Sequence, residues 1–442
     1  MNIQLGITDH LDPEVQAMLM AMYSRSYAPI ASRIPSNAES TQDHKEKLGK
    51  YYRDWGHKSV GQLGSTTIWF EGVSQLAAKA IENHKLFNGQ ESSTRYIDFS
   101  TQPFVVPAGI SADWSERFRN FYISAMPKVI SHLENQFPFN EQQSIGYESE
   151  ASMAKARMVW TNTIKARAFD IMRGFLPAGA TTNVAFVGTF DTINDHFGEM
   201  LMHPLTEMQE IATEALTQLA AKYQYAAINI DKLKARNSYL SKDHFYQRSF
   251  GMPGVLDQVV GTAYSSLEEI FRDRLPHQKL PKFGFKFNYT DLIDFGSYRD
   301  LHRHRNGDIN MPILNPAHGF NSYYLTNLPP EVHKEASSLL DEFETWYDTT
   351  ANDMDREVDW LELQYLVPMG YNIKFEYFCD LNQLLYILEL RSQKTVHQTL
   401  RKVVLRWYKE LKGMHPSINV GVDQSVDNFT LKRGTQTVLE TQ

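Results

Sequence analysis

The chain has 442 residues, of which 42% are hydrophobic and 12% aromatic, and its net charge at pH 7 is -8. Because single hydrophobic cores stop growing at about 250–300 residues, this length predicts about two domains, each with a sizeable core. Lys and Arg total 44 against 52 for Asp and Glu, without a long basic run, which argues against duplex nucleic acid as the main partner.

Cysteine content and hydropathy restrict the class of protein further. The single cysteine, Cys379, excludes an internal disulfide framework and lies in an apolar stretch typical of a buried residue. The polar start at residues 1–13 lacks the basic and apolar regions of a signal peptide. No apolar run approaches the roughly 18 residues that cross a bilayer. We therefore expect a soluble cytoplasmic protein without a membrane partner.

Helical periodicity dominates the chain, and strand signals are fewer. Strands are predicted at residues 65–70, 183–187, 283–289 and 372–378, where residues alternate or are β-branched and aromatic. Apolar residues at helical spacing predict helices at 73–81 and 384–390, the second of them within a helix expected around 381–391, and another helix is expected around 191–202. The predicted fold class is α+β and rich in helix.

The order of these elements repeats along the chain. In the first half a strand leads into a helix ending at Asn83-His84-Lys85, followed by helical sequence, Leu176-Pro177, a strand and a helix. In the second half the order is the same, with Arg303-His304-Arg305 and Val367-Pro368 at the matching places. The triplets are 220 residues apart and the X-Pro pairs 191 apart. This recurrence predicts a diverged tandem duplication with repeats at residues 1–228 and 229–442.

Two motifs in these repeats carry a resemblance to a known family. Flavin-dependent thymidylate synthases have an Arg-His-Arg triplet at a helix end, followed after a short loop by Ser-x-Arg-Tyr. The first repeat resembles them in Ser93-Thr94-Arg95-Tyr96 but has Asn83-His84-Lys85 in place of the triplet. The second repeat has the intact triplet Arg303-His304-Arg305, yet Ile313-Leu314-Asn315-Pro316 replaces the loop. The resemblance implies two repeats that each contain a mainly antiparallel sheet packed with long helices.

The same complementary loss occurs at two arginines that contact uridylate in the family. Arg173 matches the first, and the second repeat has Gln364 there. Arg391 matches the second, where the first repeat offers Glu199 or Met200. Because family members are homotetramers with sites between subunits, the resemblance implies a hybrid site built from unlike repeats. A homodimer of such chains would imitate the tetramer.

Planar guanidinium groups bind phosphate oxygens bidentately, which suits a uridylate substrate. The resemblance implies these substrate-binding residues: Glu91, Ser92, Ser93, Arg95, Arg173, Arg303 and Arg391. Ser93, Arg95, Arg173 and Arg391 are also the predicted catalytic residues. Any one of these arginines could instead be a solvated or ion-paired group, and Ser93 lacks an evident base, so hydrogen bonding is its expected role.

The resemblance also implies FAD, because a cationic cluster beside the isoalloxazine stabilises an anionic reduced flavin. The predicted cofactor-binding residues are His57, Asn88, Gln90, Arg303, His304 and Arg305. For the triplet, the alternative is capping of a helix C-terminus, which is worth about 0.3–1 kcal/mol. His57 could equally be a structural histidine. His or Cys residues do not occur in pairs at the spacing of metal ligands, so we expect no metal site.

The activity that the resemblance implies is conversion of dUMP to dTMP. Methylenetetrahydrofolate would supply the one-carbon unit, and FAD reduced by NADPH would supply the hydride, so no covalent protein nucleophile is needed. Two alternatives stay open. One is a flavin-dependent methyl- or hydroxymethyltransferase acting on another pyrimidine nucleotide such as UMP. The other is a non-catalytic nucleotide-binding paralogue, against which the complementary losses argue.

Overall fold

The computed structural model describes residues 10–24, 32–139, 150–246, 255–259, 286–353, 359–426 and 431. The helices are α1 (Pro13–Tyr23), α2 (Ala38–Leu48), α3 (Lys58–Gly61), α4 (Gln75–Glu82), α5 (Asp113–Gln136), α6 (Glu150–Met172), α7 (Phe190–Met200), α8 (Thr206–Lys222), α9 (Ile230–Asn237), α10 (Lys242–Phe245), α11 (Phe295–Leu301), α12 (Ser322–Thr326), α13 (Pro330–Ala351), α14 (Leu381–Arg391) and α15 (Gln398–Met414). The strands are β1 (Ser65–Ser74), β2 (Asn88–Glu91), β3 (Thr181–Thr189), β4 (Val255–Val259), β5 (Lys286–Asp294), β6 (Asp308–Ile309) and β7 (Asn372–Asp380). A π-helical turn covers Gly49–Asp54, and 3₁₀ turns cover Arg173–Phe175, Pro316–His318 and Trp360–Leu366.

These helices and strands confirm the predicted α+β class. The strands predicted at 65–70, 183–187 and 372–378 lie within β1, β3 and β7. The strand predicted at 283–289 overlaps β5 from residue 286, and its first three residues lie outside the described part of the chain. The helix expected at 381–391 is α14. Among the described residues, every helix is too short or too polar to cross a membrane.

The first compact unit comprises residues 1–73, 80–91 and 183–245. Its three strands lie in the order β1-β3-β2, and Asn88–Glu91 runs antiparallel to Val184–Val187. Alternating burial along β3 directs Phe186 inward, where its ring lies 5.3 Å from that of Phe197 on α7. The Phe197 ring also lies 5.7 Å from that of Phe70 on β1. Aromatic contacts of this kind join the sheet to the helix that follows it.

The second compact unit comprises residues 74–79, 92–182 and 246–442. Its four strands lie in the order β4-β5-β7-β6, and each neighbouring pair is antiparallel. Every second residue of β7 is buried, which places Tyr377 and Cys379 in the core. Trp407 on α15 stacks on Tyr289 of β5 at 4.2 Å between ring centroids. Burial raises the pKa of the Cys379 thiol, as expected for a core residue rather than a nucleophile.

In both halves of the chain a strand leads directly into a helix, twice. β1 leads into α4 and β5 into α11, while β3 leads into α7 and β7 into α14. The starts of β3 and β7, Thr181 and Asn372, are 191 positions apart, as are the two X-Pro pairs.

The two X-Pro segments lie side by side within the second unit. Pro177 and Pro368 form an antiparallel bridge. Four backbone N–H groups donate across it: Ala178 to Val367 at 2.9 Å, Met369 to Leu176 at 2.9 Å, Gly179 to Tyr365 at 2.7 Å and Gly370 to Gly174 at 2.8 Å. The four bonds form two reciprocal pairs. Residues 178 and 176 of one pair correspond to residues 369 and 367, and residues 179 and 174 of the other pair to residues 370 and 365, each 191 positions later. The duplication and its boundary near residue 228 stay predictions, and the compact units do not follow the predicted halves, because residues 92–182 belong to the second unit.

Candidate active site

Arg95 lies in the loop that follows β2, and its guanidinium forms a bidentate ion pair with one carboxylate. Its Nε donates to Asp170 Oδ1 at 2.7 Å and its Nη2 to Asp170 Oδ2 at 2.9 Å. Nη2 also donates to the Thr395 carbonyl at 3.2 Å, and the Arg95 backbone N–H donates to Ser93 Oγ at 3.2 Å. Burial alone would lower the pKa of Arg95, but the Asp170 charge outweighs it. The guanidinium is therefore held in a fixed orientation.

Arg173 follows the end of α6 and is 1% exposed. Its Nη2 donates to Ser297 Oγ at 2.7 Å, and its Nη1 lies 3.4 Å from Asp300 Oδ2. Asp294 Oδ2 is 3.9 Å from Nη2 and also caps the start of α11 by accepting the Ser297 N–H at 2.9 Å. Side chains of α11 and of its N-cap thus hold this buried arginine.

Arg391 is the last residue of α14, and its partners are neutral. Its Nε donates to His304 Nε2 at 2.8 Å and its Nη2 to the Asp300 carbonyl at 2.9 Å. Among the described residues no carboxylate forms an ion pair with Arg391. Burial lowers the pKa of Arg391, opposed by the Asp300 charge. This guanidinium therefore keeps a positive charge that no carboxylate compensates through direct contact.

His304 is fixed in one tautomer by this contact. Because Nε2 accepts the Arg391 hydrogen bond, the neutral ring carries its proton on Nδ1. Burial, together with the nearby Arg391 charge, lowers the pKa of His304 to about 3. Tyr377 donates to the His304 carbonyl at 2.8 Å, which holds the backbone of the triplet.

Asp300 on α11 is the carboxylate that these arginines share. Burial would raise the pKa of Asp300, but nearby positive charges hold that pKa well below its usual range. The charges, from the largest effect to the smallest, are those of Arg173, Arg95, Arg391 and Arg303. We call these four residues the arginine cluster. Two precede residue 228 and two follow it, so the second unit brings together side chains from both predicted repeats.

The buried residue His397 contacts the hydrogen-bond partners of two arginines, Arg95 and Arg173. Its Nε2 lies 3.0 Å from the carbonyl oxygen of Asp170, the partner of Arg95. Its Nδ1 lies 3.2 Å from Ser297 Oγ, which accepts from Arg173. Burial lowers the pKa of His397 well below its usual value, and the Arg173 charge adds to this. His397 is therefore neutral. It orients Asp170 and Ser297, which in turn orient the guanidiniums of Arg95 and Arg173.

The remaining predicted substrate residues lie in two units. Ser92 and Ser93 belong to the second unit with the arginine cluster, and the Ser92 carbonyl accepts from Thr182 Oγ1 at 3.5 Å. Glu91 belongs to the first unit, where it is buried at the end of β2 opposite Val184. The roles of these residues in binding stay predictions.

The predicted cofactor residues are divided in the same way. His57, Asn88 and Gln90 belong to the first unit and are exposed. Arg303 and Arg305 are half-buried on either side of His304 in the second unit. The prediction that the triplet closes a helix is wrong, since α11 ends at Leu301, two positions before the first residue of the triplet. The chain turns there, with the His304 N–H donating to the Leu301 carbonyl at 3.0 Å.

Acid should destabilise the protein because its buried histidines resist protonation. The pKa values of His304, His196 and His203 are lowered to about 3 by burial, whereas the unfolded chain binds these protons near 6.5. The unfolded state therefore binds more protons as pH falls below 6.5, and each histidine contributes a loss of up to about 1.4 kcal/mol per pH unit. The lowered pKa of Asp300 adds to the loss at more acid pH, and the raised pKa of Asp294 opposes it.

Urea unfolding at pH 7, 6 and 5 measures this effect, with the free energy of unfolding falling at each step. His304→Gln, which keeps an acceptor for Arg391 but cannot titrate, should reduce the slope. Equal or greater stability at pH 5 than at pH 7 would contradict the expectation.

The sequence prediction lacks the groups that hold the arginines, among them Asp170, Asp300 and His397. Asp300 had a usable signal, because it stands three residues before Arg303 and a carboxylate at that spacing lies near the same side of a helix. Asp170 and His397 act on residues 75 and 100 positions away in the chain, and no local pattern marks them. No group of three or more acidic, His or Cys residues suited to a metal occurs in the described ranges.

The chain is similar in sequence to several known proteins. Residues 7–223 match the family model Thy1, described as thymidylate synthase complementing protein. A UPF0159 protein of Chlamydia pneumoniae is 25% identical over 92% of this chain and 89% of its own length. A flavin-dependent thymidylate synthase of Geobacter sulfurreducens is 30% identical over 28% of this chain and 53% of its own. The crystal structure of the flavin-dependent thymidylate synthase ThyX of Helicobacter pylori, complexed with FAD and dUMP, aligns with a TM-score of 0.29 and 14% identity over 50% of this chain and 94% of its own. Residues 7–223, just under half of the chain, are therefore similar to the Thy1 family of thymidylate synthase complementing proteins.

Proposed function

We propose that this chain is a flavin-dependent thymidylate synthase-like enzyme that converts dUMP to dTMP. Methylenetetrahydrofolate would be the one-carbon donor and NADPH the reductant of FAD. The observation that carries the proposal is the arginine cluster around Asp300, which combines Arg95 and Arg173 with Arg303 and Arg391 in one compact unit. This supports a hybrid site assembled from unlike repeats within a single chain.

The substrate phosphate would bind at Arg391. A phosphate monoester carries about -1.5 to -2 charges at neutral pH and accepts charge-assisted hydrogen bonds from guanidinium groups. Arg391 is partly buried and has only neutral direct partners, so its charge remains available to an anion. Arg95 and Arg173 already have carboxylate partners and would add to the field that orients the nucleotide.

The chemistry of the triplet suits a flavin. Arg303 and Arg305 supply only hydrogen-bond donors, and His304 is held with a proton on Nδ1, whereas the flavin carbonyls and phosphates are acceptors. Both arginines act on the His304 charge, so the local potential is positive, as an anionic reduced flavin requires. These three residues would hold the FAD. When bound, FAD would supply the hydride.

A tandem duplication accounts for the hybrid site. The recurrent strand-helix order and the reciprocal hydrogen bonds around Pro177 and Pro368 support two copies related by a local twofold. Each copy would then have kept one half of the site. We infer that a homodimer of such chains corresponds to a tetramer of the undivided ancestor, and that the enzyme works in the cytoplasm.

The purified protein should be yellow, its colour should bleach with NADPH, and it should release tritium from dUMP labelled at the position that is methylated. Lys85→Ala provides a matched control, because Lys85 stands at the triplet position of the copy that lost it, and this variant should stay active. A colourless protein that cannot be reconstituted with FAD would contradict the proposal and favour a nucleotide-binding paralogue. Turnover of UMP but not dUMP would favour the related transferase.

A further inference from the structure

The carboxylate of Asp300 is placed differently from those of Asp170 and Asp294, which also contact the arginine cluster. Asp170 is fully engaged by the bidentate contact with Arg95, and its side chain is 8% exposed. Asp294 is 0% exposed and accepts from Tyr324 and from the backbone of α11. The Asp300 side chain is 20% exposed and makes one long contact, 3.4 Å, to Arg173. Of the three, it is the carboxylate that a ligand can approach.

We propose that Asp300 is an internal counter-anion, which partly compensates the positive charge of the arginine cluster before nucleotide binds and weakens binding of the phosphate dianion. The inference rests on the proposed function, because it concerns the nucleotide phosphate in that same site. Asp300 thereby determines how strongly the site prefers ligands of high negative charge.

Loss of the Asp300 charge has two consequences of opposite sign. In the ligand-free protein, Arg173 and Arg391 would repel each other with less compensation, so the folded state loses stability. A phosphate group approaching Arg391 would no longer be repelled by a nearby carboxylate, so its binding becomes tighter. A merely structural role gives another pattern, since disorganised guanidiniums would reduce both stability and phosphate affinity.

The full chain is therefore titrated with inorganic phosphate and with dUMP by calorimetry, and its melting temperature is measured with and without phosphate. Asp300→Asn should melt at a lower temperature without phosphate and bind phosphate about tenfold more tightly, since loss of one nearby like charge at a partly exposed site is an effect of that order. Its phosphate-induced rise in melting temperature should exceed that of the wild type. Asp300→Glu, which keeps the charge, should bind phosphate much as the wild type does.

Asp348→Asn is the matched control, because it removes one exposed negative charge from α13 in the same unit. It should change neither measurement. Equal or weaker phosphate binding by Asp300→Asn, or no phosphate binding by either protein, overturns the inference. If Asp300→Asn does not fold in phosphate-free buffer, phosphate during refolding should restore it as a substitute anion, and failure to do so also overturns the inference.

These outcomes are separable from those for the proposed function, because phosphate binding needs neither FAD nor turnover. A wild-type enzyme that turns over dUMP, paired with a variant that gains no phosphate affinity, refutes the counter-anion alone. A gain in phosphate affinity in a chain that never acts on dUMP refutes the enzyme alone.

Discussion

Replacing Arg391 by alanine is expected to lower kcat/KM for dUMP by about a hundredfold to a thousandfold, with little change in the fold. Truncating one partner of a buried charged hydrogen-bonding pair costs about 2–5 kcal/mol, and each 1.36 kcal/mol is a factor of about ten. The loss falls on substrate binding and orientation, because the groups left behind, His304 Nε2 and the Asp300 carbonyl, are neutral acceptors. Steady-state kinetics together with circular dichroism measures both effects.

Two further variants make this test specific. Arg391→Lys keeps the charge but loses the planar donor pair, so an intermediate loss is expected. Arg117→Ala removes an exposed arginine of the same unit, which contacts Glu342 at 2.5 Å, and should leave kcat/KM unchanged. Near-full activity of Arg391→Ala would refute its role in the site.

Much of the fold could be predicted because its signals are local. The strand at 372–378 was predicted from alternation, and β7 shows that alternation directly, with every second residue buried from Ile373 to Cys379. The helix at 381–391 was predicted from apolar spacing and matches α14. The helix end predicted at the triplet is two to four residues too late, and the turn there is held by the Tyr377 hydroxyl from β7, 73 positions away from His304.

The site could be predicted only in part, for the same reason. Family motifs singled out the arginines, and the structure places Arg95, Arg173 and Arg391 in the field of one carboxylate. The partners of these arginines are distant in sequence, since Arg173 meets Asp300 over 127 positions. A sequence motif can identify the arginines that would bind a ligand. Only the fold shows which carboxylates hold those arginines when no ligand is bound.

Replacing Asp170 by asparagine is expected to lower the free energy of unfolding by about 3 kcal/mol. Removing one partner of a buried ion pair leaves an uncompensated charge, which costs about 3–5 kcal/mol, and the Arg95 and Asp170 side chains are only 13% and 8% exposed. Asparagine also presents an amide N–H₂ to a guanidinium donor, so one of the two parallel hydrogen bonds at 2.7 and 2.9 Å is lost. Urea unfolding followed by tryptophan fluorescence measures the change.

The double variant Arg95→Met with Asp170→Leu separates stability from function. Replacing a buried ion pair by apolar residues of similar volume is often neutral or stabilising, so this variant should recover most of the stability that Asp170→Asn loses. It should not recover turnover of dUMP, because the Arg95 charge that we propose to orient the nucleotide is gone. A double variant as unstable as Asp170→Asn would show that the uncompensated charge of Arg95 is not the cause of the loss. Full turnover by that variant would instead remove Arg95 from the site and leave Arg391 as the principal anion ligand.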